Sequence, residues 1–196
     1  MAASGNIHFC GVGGQGILLA SEITAYALLS AGLDAKKSEV HGMAQRGGSM
    51  EAHLRYGEKV YSPLIDLGAV DIQLAFEMLE ALRYMPYLHK KSKVIVNIQR
   101  IMPPSVAIGN AQYPEHILEQ LTEKGVDVIA VDGFEIAKKV GNVKAANVVL
   151  VGALSLFLPV SEETFVEIIK NRVPERFLEA NLQAFAEGRK VSMDLQ

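Results

Sequence analysis

Two glycine-rich turns hold the residue types with which this chain could do chemistry. The first is Gly11-Val12-Gly13-Gly14-Gln15-Gly16, after a short apolar strand predicted at Ile7 to Cys10. The second is His41-Gly42-Met43-Ala44-Gln45-Arg46-Gly47-Gly48, after a strand predicted at Ala35 to Val40. Glycines allow positive φ and a close approach of the backbone, so successive N–H groups can hold a phosphate or carboxylate. The two turns together predict an anion pocket at one edge of a sheet, with the turns side by side in space.

The first turn also fits the G-x-G-x-x-G spacing of dinucleotide-binding folds, through Gly11, Gly13 and Gly16. Glu39 stands where a ribose-binding acid could sit. A tight strand-to-helix turn that serves only packing would need the same glycines, and the sequence leaves that alternative open. We expect no useful binding of NAD or NADP, because the turn that contains Arg46 would crowd an adenosine ribose.

Arg46 sets the second turn apart. It lies between Gln45 and Gly47, past the end of a predicted parallel strand, where open α/β sheets bind ligands. Its guanidinium can pair with a phosphate or carboxylate without crowding from neighbouring side chains. The alternative is an ion pair with a nearby Asp or Glu. His41 ends the same strand, and a structural hydrogen bond is the role we expect for it.

The histidines and the one cysteine do not indicate a metal site. No two histidines have the i, i+3 or i, i+4 spacing that would place them on one helical face; they are His8, His41, His53, His89 and His116. Cys10 ends an apolar strand and is expected in the core. The sequence contains no Gly-x-Ser-x-Gly elbow and no Walker loop, so no catalytic residue is assigned.

Hydrophobic periodicity predicts the elements that position these turns. From Gly14 to Ala31 apolar residues recur at helical spacing, and Gly32 ends the helix. With a strand on either side, this helix predicts a right-handed βαβ unit with a parallel sheet. Alternation over Met50 to Leu54, followed by a turn before Val60 and Tyr61, predicts a hairpin at the sheet's edge.

Further strands are predicted at Asp71 to Phe76, around Val94 to Val96 and at Val126 to Val131. Helices are predicted between and after them, and those at the C-terminal end cover 143–158, 161–171 and 174–188. The fold class is therefore α/β with three layers: a mainly parallel, Rossmann-like sheet, helices on both faces and a helical C-terminal arm from about residue 143. We expect a single domain over residues 1–196.

The composition excludes several classes of protein. The 196 residues are 49% hydrophobic and 21% charged, and their net charge of -3 does not support nucleic-acid binding. A single cysteine excludes an internal disulfide framework and fits a reducing compartment. The longest apolar run, Val148 to Val160, is interrupted and too short to span a bilayer. With no signal peptide visible before Ile7, we expect a cytoplasmic protein without a membrane partner.

Three segments together resemble a known family. They are residues 11–16, residues 39–49 and Tyr61-Ser62-Pro63-Leu64-Ile65. They are similar to the γ-type domain of 2-oxoacid:ferredoxin oxidoreductases, and the resemblance covers essentially the whole chain. It is closest to the indolepyruvate (arylpyruvate) members, whose β subunit is a stand-alone γ-type chain of about this length.

The resemblance implies oxidative decarboxylation of a 2-oxoacid to an acyl-CoA on thiamine diphosphate, with electrons passing through iron–sulfur clusters to ferredoxin. One cysteine cannot hold a cluster that needs four thiolates, and no thiamine diphosphate segment is visible. Both cofactors are therefore expected on a larger partner subunit, which leaves this chain inactive alone. The chain would complete the active site and bind coenzyme A as co-substrate, with candidate contacts at Gly13, Gly14, Gln15, Gly16, His41, Gln45, Arg46 and Gly47.

Two alternatives stay open at this point. Within the family, the chain could be the γ subunit of a pyruvate, 2-oxoglutarate or branched-chain 2-oxoacid enzyme. Outside it, the glycine turns could belong to a free-standing nucleotide-binding module with no catalytic partner. The sequence fixes neither the 2-oxoacid nor the oligomeric state, because the side-chain pocket for the substrate can belong mainly to a partner.

Overall fold

The strands form one mixed sheet. A computed structural model of the chain describes residues 3–41 and 47–194. Its sheet has six strands in the order β2-β3-β1-β4-β5-β6. The strands are β1 Gly5–Val12, β2 Asp34–His41, β3 Ser49–Gly57, β4 Val70–Ala75, β5 Leu88–Asn97 and β6 Asp127–Val131.

Four neighbouring strands, β1, β4, β5 and β6, run parallel, as the α/β prediction requires. In β5 the residues Val94, Ile95 and Val96 are all fully buried, because helices cover both faces of the sheet there. The mainly parallel, three-layer fold is thus confirmed.

The predicted βαβ unit is only partly right. The strands β1 and β2 point in the same direction, but β3 lies between them and is antiparallel to both. The reason is local: the second glycine-rich turn joins β2 directly to β3, so β3 folds back and takes the place beside β1. In sequence, Arg46 therefore lies between two antiparallel strands, and the next described element after it is the strand β3.

The hairpin predicted within residues 50–61 is wrong. The buried alternation of Met50, Ala52 and Leu54 continues to Tyr56, and one strand, β3, spans Ser49–Gly57. Val60 and Tyr61 lie in the loop that follows. Because β3 pairs on both sides, it is an inner strand and not an edge strand.

Helices cover both faces of the sheet. They are α1 Ile17–Ser30, α2 Met78–Arg83, α3 Pro104–Ala107, α4 Ile117–Glu123, α5 Gly133–Lys139, α6 Ala146–Ser155, α7 Glu162–Arg172 and α8 Glu175–Asp194. One face packs against α1, α5, α6, α7 and α8, and the other against α2 and α4. The prediction that Gly32 follows the end of α1 is confirmed, and Gly32 has φ 83°.

The C-terminal helices pack tightly onto the sheet. Every residue of α6 from Asn147 to Ser155 is buried, as predicted for this apolar run. Gly152 and Gly188 allow α6 and α8 to touch, because a Cβ on either glycine would collide with a backbone carbonyl of the other helix. Within the described residues, no helix combines the length and apolarity needed to cross a membrane.

Candidate functional site

The sheet has a topological switch point between β1 and β4. From β1 the chain enters α1 on one face, and from β4 it enters α2 on the other face. Such a point opens a crevice at the carboxyl ends of the strands, where ligands of open α/β sheets bind. A cleft of about 440 Å³ lies there, lined by the turn residues 14–16 together with Phe76, Asn97, Gln99, Lys144 and Asn147.

The electrostatics of this cleft favour an anion. Gly16 is the N-cap of α1 with φ 79°, no side chain caps the helix, and its first turn has no acidic residue. At Gly14, with φ 103°, a Cβ would meet nothing within 4 Å in the described structure. Lys144 is the only charged side chain among the described lining residues. An uncapped helix N-terminus beside a lysine suits a phosphate or carboxylate.

An amide network forms the floor of the cleft. Gln15 accepts a backbone N–H of its own turn at 2.7 Å and donates to Phe76 O at 2.8 Å. Asn97 also donates to Phe76 O, at 3.1 Å, and accepts the N–H of Gly133 at 3.0 Å. Gln99 Oε1 accepts from both amides, at 3.1 and 3.3 Å. The network therefore ties the ends of β1, β4 and β5 to the start of α5.

Asn147 holds the glycine turn from the opposite side. Its Nδ2 donates to Gly16 O at 3.3 Å, and a Cβ at Gly16 would collide with the same amide. Gly16 is thus required both for its positive φ and for the space that Asn147 fills. Phe134 and Val143, which are 41% and 45% exposed, add an apolar wall to the cleft.

The described end of the second glycine-rich turn, Gly47 and Gly48, lies beside the first turn, as expected from the sequence. Gly13 N–H donates to Gly48 O at 2.8 Å, and Gly47 N–H donates to Gly13 O at 3.4 Å. Gly47 is exposed and has φ 77°. Of the other candidate residues in the second turn, Gln45, Arg46 and the side chain of His41 lie outside the described residues.

The structure thus sorts the described sequence candidates into two groups. Gly14, Gln15 and Gly16 line the cleft. Gly13 and Gly47 join the two turns through backbone hydrogen bonds. Contact of any of these residues with coenzyme A stays a prediction.

Sequence reasoning missed four polar residues of the cleft: Asn97, Gln99, Lys144 and Asn147. Two of them carried a usable signal. Asn97 follows the β-branched run Val94 to Val96 at a strand's carboxyl end, where ligands bind. Asn147 is a polar residue at the start of a buried apolar helix. Lys144 and Gln99 had no comparable signal.

A second group of ionisable side chains lies on the face of the sheet that α2 and α4 cover. His8 on β1 is directly opposite His53 on β3. Glu51 Oε2 lies 2.9 Å from His8 Nε2 and 3.5 Å from His53 Nε2. The three ligand atoms are within 4.8 Å of one another, a spacing that a metal ion could use.

The hydrogen bonding of His53 argues against a metal at this cluster. His53 Nδ1 accepts the N–H of Ile65 at 3.0 Å. Neutral His53 therefore carries its proton on Nε2, the atom that a metal would need. A carboxylate that accepts two imidazole N–H groups accounts for the geometry, and the absence of a metal site stays a prediction.

Burial and hydrogen bonds shift the pKa values of this cluster. Burial raises the pKa of Glu51, but the hydrogen bonds from His53 and His8 outweigh this effect and lower the pKa to about 2. Burial lowers the pKa of His8, and the hydrogen bond to Glu51 offsets part of that shift. At neutral pH the cluster thus contains an ionised Glu51 next to an uncharged His8.

Neighbouring groups anchor the second turn to α2. Ser49, which follows the turn, donates to Glu80 Oε2 and lies 3.0 Å from the Tyr84 hydroxyl. Burial raises the pKa of Tyr84 to about 12, so it stays protonated.

Cys10 is fully buried, as predicted, and burial raises the pKa of its thiol well above the usual value.

Known proteins share both the sequence and the fold. The indolepyruvate oxidoreductase subunit IorB of Archaeoglobus fulgidus is 45% identical over 187 residues, which cover 93% of this chain and 92% of that protein. The keto/oxoacid ferredoxin oxidoreductase gamma subunit of Geobacter sulfurreducens superposes with a TM-score of 0.73 at 26% identity, covering 96% of this chain and 98% of that one.

A longer protein contains the same fold. It is the 2-oxoglutarate:ferredoxin oxidoreductase of Magnetococcus marinus, solved with 2-oxoglutarate, coenzyme A and succinyl-CoA bound. The TM-score is 0.77 at 22% identity, and the match covers 98% of this chain but 32% of that one. Residues 6–191 match the family described as pyruvate ferredoxin/flavodoxin oxidoreductase, and the chain belongs to this family.

Proposed function

We propose that this chain is the small subunit of a cytoplasmic ferredoxin-dependent oxidoreductase that converts indolepyruvate or a related arylpyruvate to an acyl-CoA. The observation that carries the proposal is the 45% identity to an indolepyruvate oxidoreductase subunit over nearly the full length of both proteins. On this proposal residues 1–196 form one γ-type domain.

The cleft at the switch point is the part of this chain that we assign to coenzyme A. The N-terminus of α1 and Lys144 supply positive charge for a phosphate, and Phe134 and Val143 supply an apolar wall. From the second turn, His41, Gln45, Arg46 and Gly47 are proposed to complete the contacts. The Magnetococcus marinus enzyme, which contains this fold in 32% of the matched chain and was solved with coenzyme A bound, supports coenzyme A as the ligand.

The redox cofactors do not fit this chain. An iron–sulfur cluster needs several thiolates, whereas this chain has one cysteine, and Cys10 is fully buried with a raised pKa. We therefore place the clusters and thiamine diphosphate on a larger partner subunit that passes electrons to ferredoxin. In the assembled enzyme this chain binds and orients the acyl acceptor.

Reconstitution tests the proposal. The chain is mixed under argon with the large thiamine diphosphate subunit of the same organism, and ferredoxin reduction is followed with indolepyruvate, pyruvate, 2-oxoglutarate and a branched-chain 2-oxoacid. We expect activity that requires both subunits and coenzyme A, with indolepyruvate the best substrate. Preference for another 2-oxoacid would assign the chain to a different branch of the family. Failure of the large subunit to bind the chain or to become active with it, together with tight nucleotide binding by the chain alone, would make it a free-standing module and contradict the proposal.

A further inference from the structure

The loop over residues 58–69 exposes three large apolar side chains. Tyr61 is 88% exposed, Leu64 57% and Leu67 68%. Val60 and Ile65 from the same loop are buried, so the loop has an inner side that packs and an outer side that does not. Exposed apolar groups that are concentrated in one segment mark interaction surfaces, and tyrosine is among the residues enriched at binding hot spots.

Hydrogen bonds hold this loop in one conformation. Arg55 donates to the carbonyl oxygens of Ser62 and Leu64, at 3.2 and 3.4 Å. Ile65 N–H donates to His53 Nδ1 at 3.0 Å, inside the buried cluster. A loop that is already ordered loses little conformational entropy on binding, so it can present its side chains at low cost.

The coenzyme A cleft does not explain these exposed residues. Tyr56, the residue before the end of β3, pairs with Gly5, where β1 begins, and the loop returns to the start of β4 at Val70. The loop therefore lies at the amino end of β1, whereas the cleft lies at its carboxyl end. The two ends of the eight-residue strand β1 are seven steps apart, about 23 Å at about 3.3 Å per step.

The fold occurs both as a separate chain and as part of a longer chain, and this difference indicates the partner. The Geobacter sulfurreducens gamma subunit is a separate chain of which 98% is matched, whereas the Magnetococcus marinus chain is longer and 32% of it is matched. In the longer chain, a covalent connection holds this fold next to the rest of the enzyme. A separate chain has no such connection and needs a surface that binds the larger subunit. Resting on the proposed function, we propose that Tyr61, Leu64 and Leu67 form the surface on which the larger thiamine diphosphate subunit docks, through an apolar pocket of that subunit.

The dissociation constant between this chain and the large subunit tests this surface. The double variant Tyr61→Ser, Leu64→Ser is compared with the control Leu29→Ser, Met193→Ser, which removes two other exposed apolar side chains, 45% and 50% exposed. Sedimentation velocity under argon gives the Kd of each for the large subunit. We expect the loop variant to bind at least tenfold more weakly and the control to match the wild type. At saturating large subunit, the KM for coenzyme A should be unchanged in both.

A second variant is used if the double variant is less stable than the wild type. If the double variant melts below the wild type, Leu67→Glu takes its place, because that side chain is largely exposed. Wild-type assembly by the loop variants would overturn the docking proposal and leave the proposed function intact. Failure of the wild-type chain to bind the large subunit would overturn both. If the loop variants lose only self-association, the surface binds a second copy, and the docking proposal is wrong.

Discussion

Gly16 offers the sharpest test of the cleft, and Gly32 provides a matched control. Both glycines have positive φ, 79° and 83°, and they lie at opposite ends of α1. A Cβ at Gly32 would meet nothing within 4 Å in the described structure, whereas a Cβ at Gly16 would collide with the Asn147 amide. The substitutions Gly16→Ala and Gly32→Ala therefore share the backbone strain and differ in the collision.

The expected losses follow from these contacts. An L-residue in the left-handed region costs roughly 1 to 2 kcal/mol, and both variants should lose that much stability. Gly16→Ala also displaces Asn147, whose Nδ2 donates to Gly16 O at 3.3 Å, and loss of this partly buried hydrogen bond adds roughly 1 to 3 kcal/mol. At about 2 to 4 °C per kcal/mol for a chain of this size, Gly16→Ala should melt at least a few degrees below Gly32→Ala.

Two measurements separate the effects. Urea unfolding of the isolated chains gives the difference in the free energy of unfolding, and steady-state assays of the reconstituted enzyme give the KM for coenzyme A. We expect a raised KM for Gly16→Ala alone, because the turn and Asn147 both line the cleft. Equal stability of the two variants, together with an unchanged KM for Gly16→Ala, would refute the assignment of the turn to a coenzyme A site.

Three further outcomes are expected. Arg46 lies in the part of the second turn that is outside the described residues. Arg46→Ala should weaken the affinity for coenzyme A or for the large subunit by about tenfold to hundredfold, and the melting point of the free chain should not change. Unfolding of the free chain would instead show that Arg46 forms a core ion pair. Since folding lowers the Glu51 pKa from 4.5 to about 2, Glu51 stabilises the fold above pH 4.5 by at most about 3 kcal/mol, and this is lost as pH falls toward 2. Urea titrations of Glu51→Gln should show a smaller loss across that window, and identical slopes would contradict the cluster. Cys10 should resist alkylation by iodoacetamide until urea unfolds the chain, and fast labelling of native protein would be inconsistent with its burial.

The sequence predicted the elements whose signals are local. Helical periodicity after Gly16 gave α1, and the long apolar run from Val148 gave the buried helix α6. Strand pairing is decided by contacts between distant residues, which local patterns do not contain. The antiparallel β3 was missed for this reason, although its alternation from Met50 to Leu54 was visible.

The sequence likewise predicted only the part of the candidate site that has a local signal. Glycines at positions 14 and 16 carry a backbone signal that sequence reveals, and the turn lies at the cleft as expected. Asn97 and Asn147 come from other strands and helices, and only the fold brings them to the turn. The cluster of His8, Glu51 and His53 has no helical spacing, because antiparallel pairing across two strands creates it.

The most direct test of the central claim is hydrogen–deuterium exchange of the reconstituted enzyme with and without coenzyme A. If the cleft binds coenzyme A, amides of the first turn and the start of α1 should be protected, together with those around Lys144 and Asn147. The loop at 58–69, at the other end of β1, should show the same exchange in both samples. Saturating coenzyme A that leaves the exchange of the first turn unchanged would contradict the account.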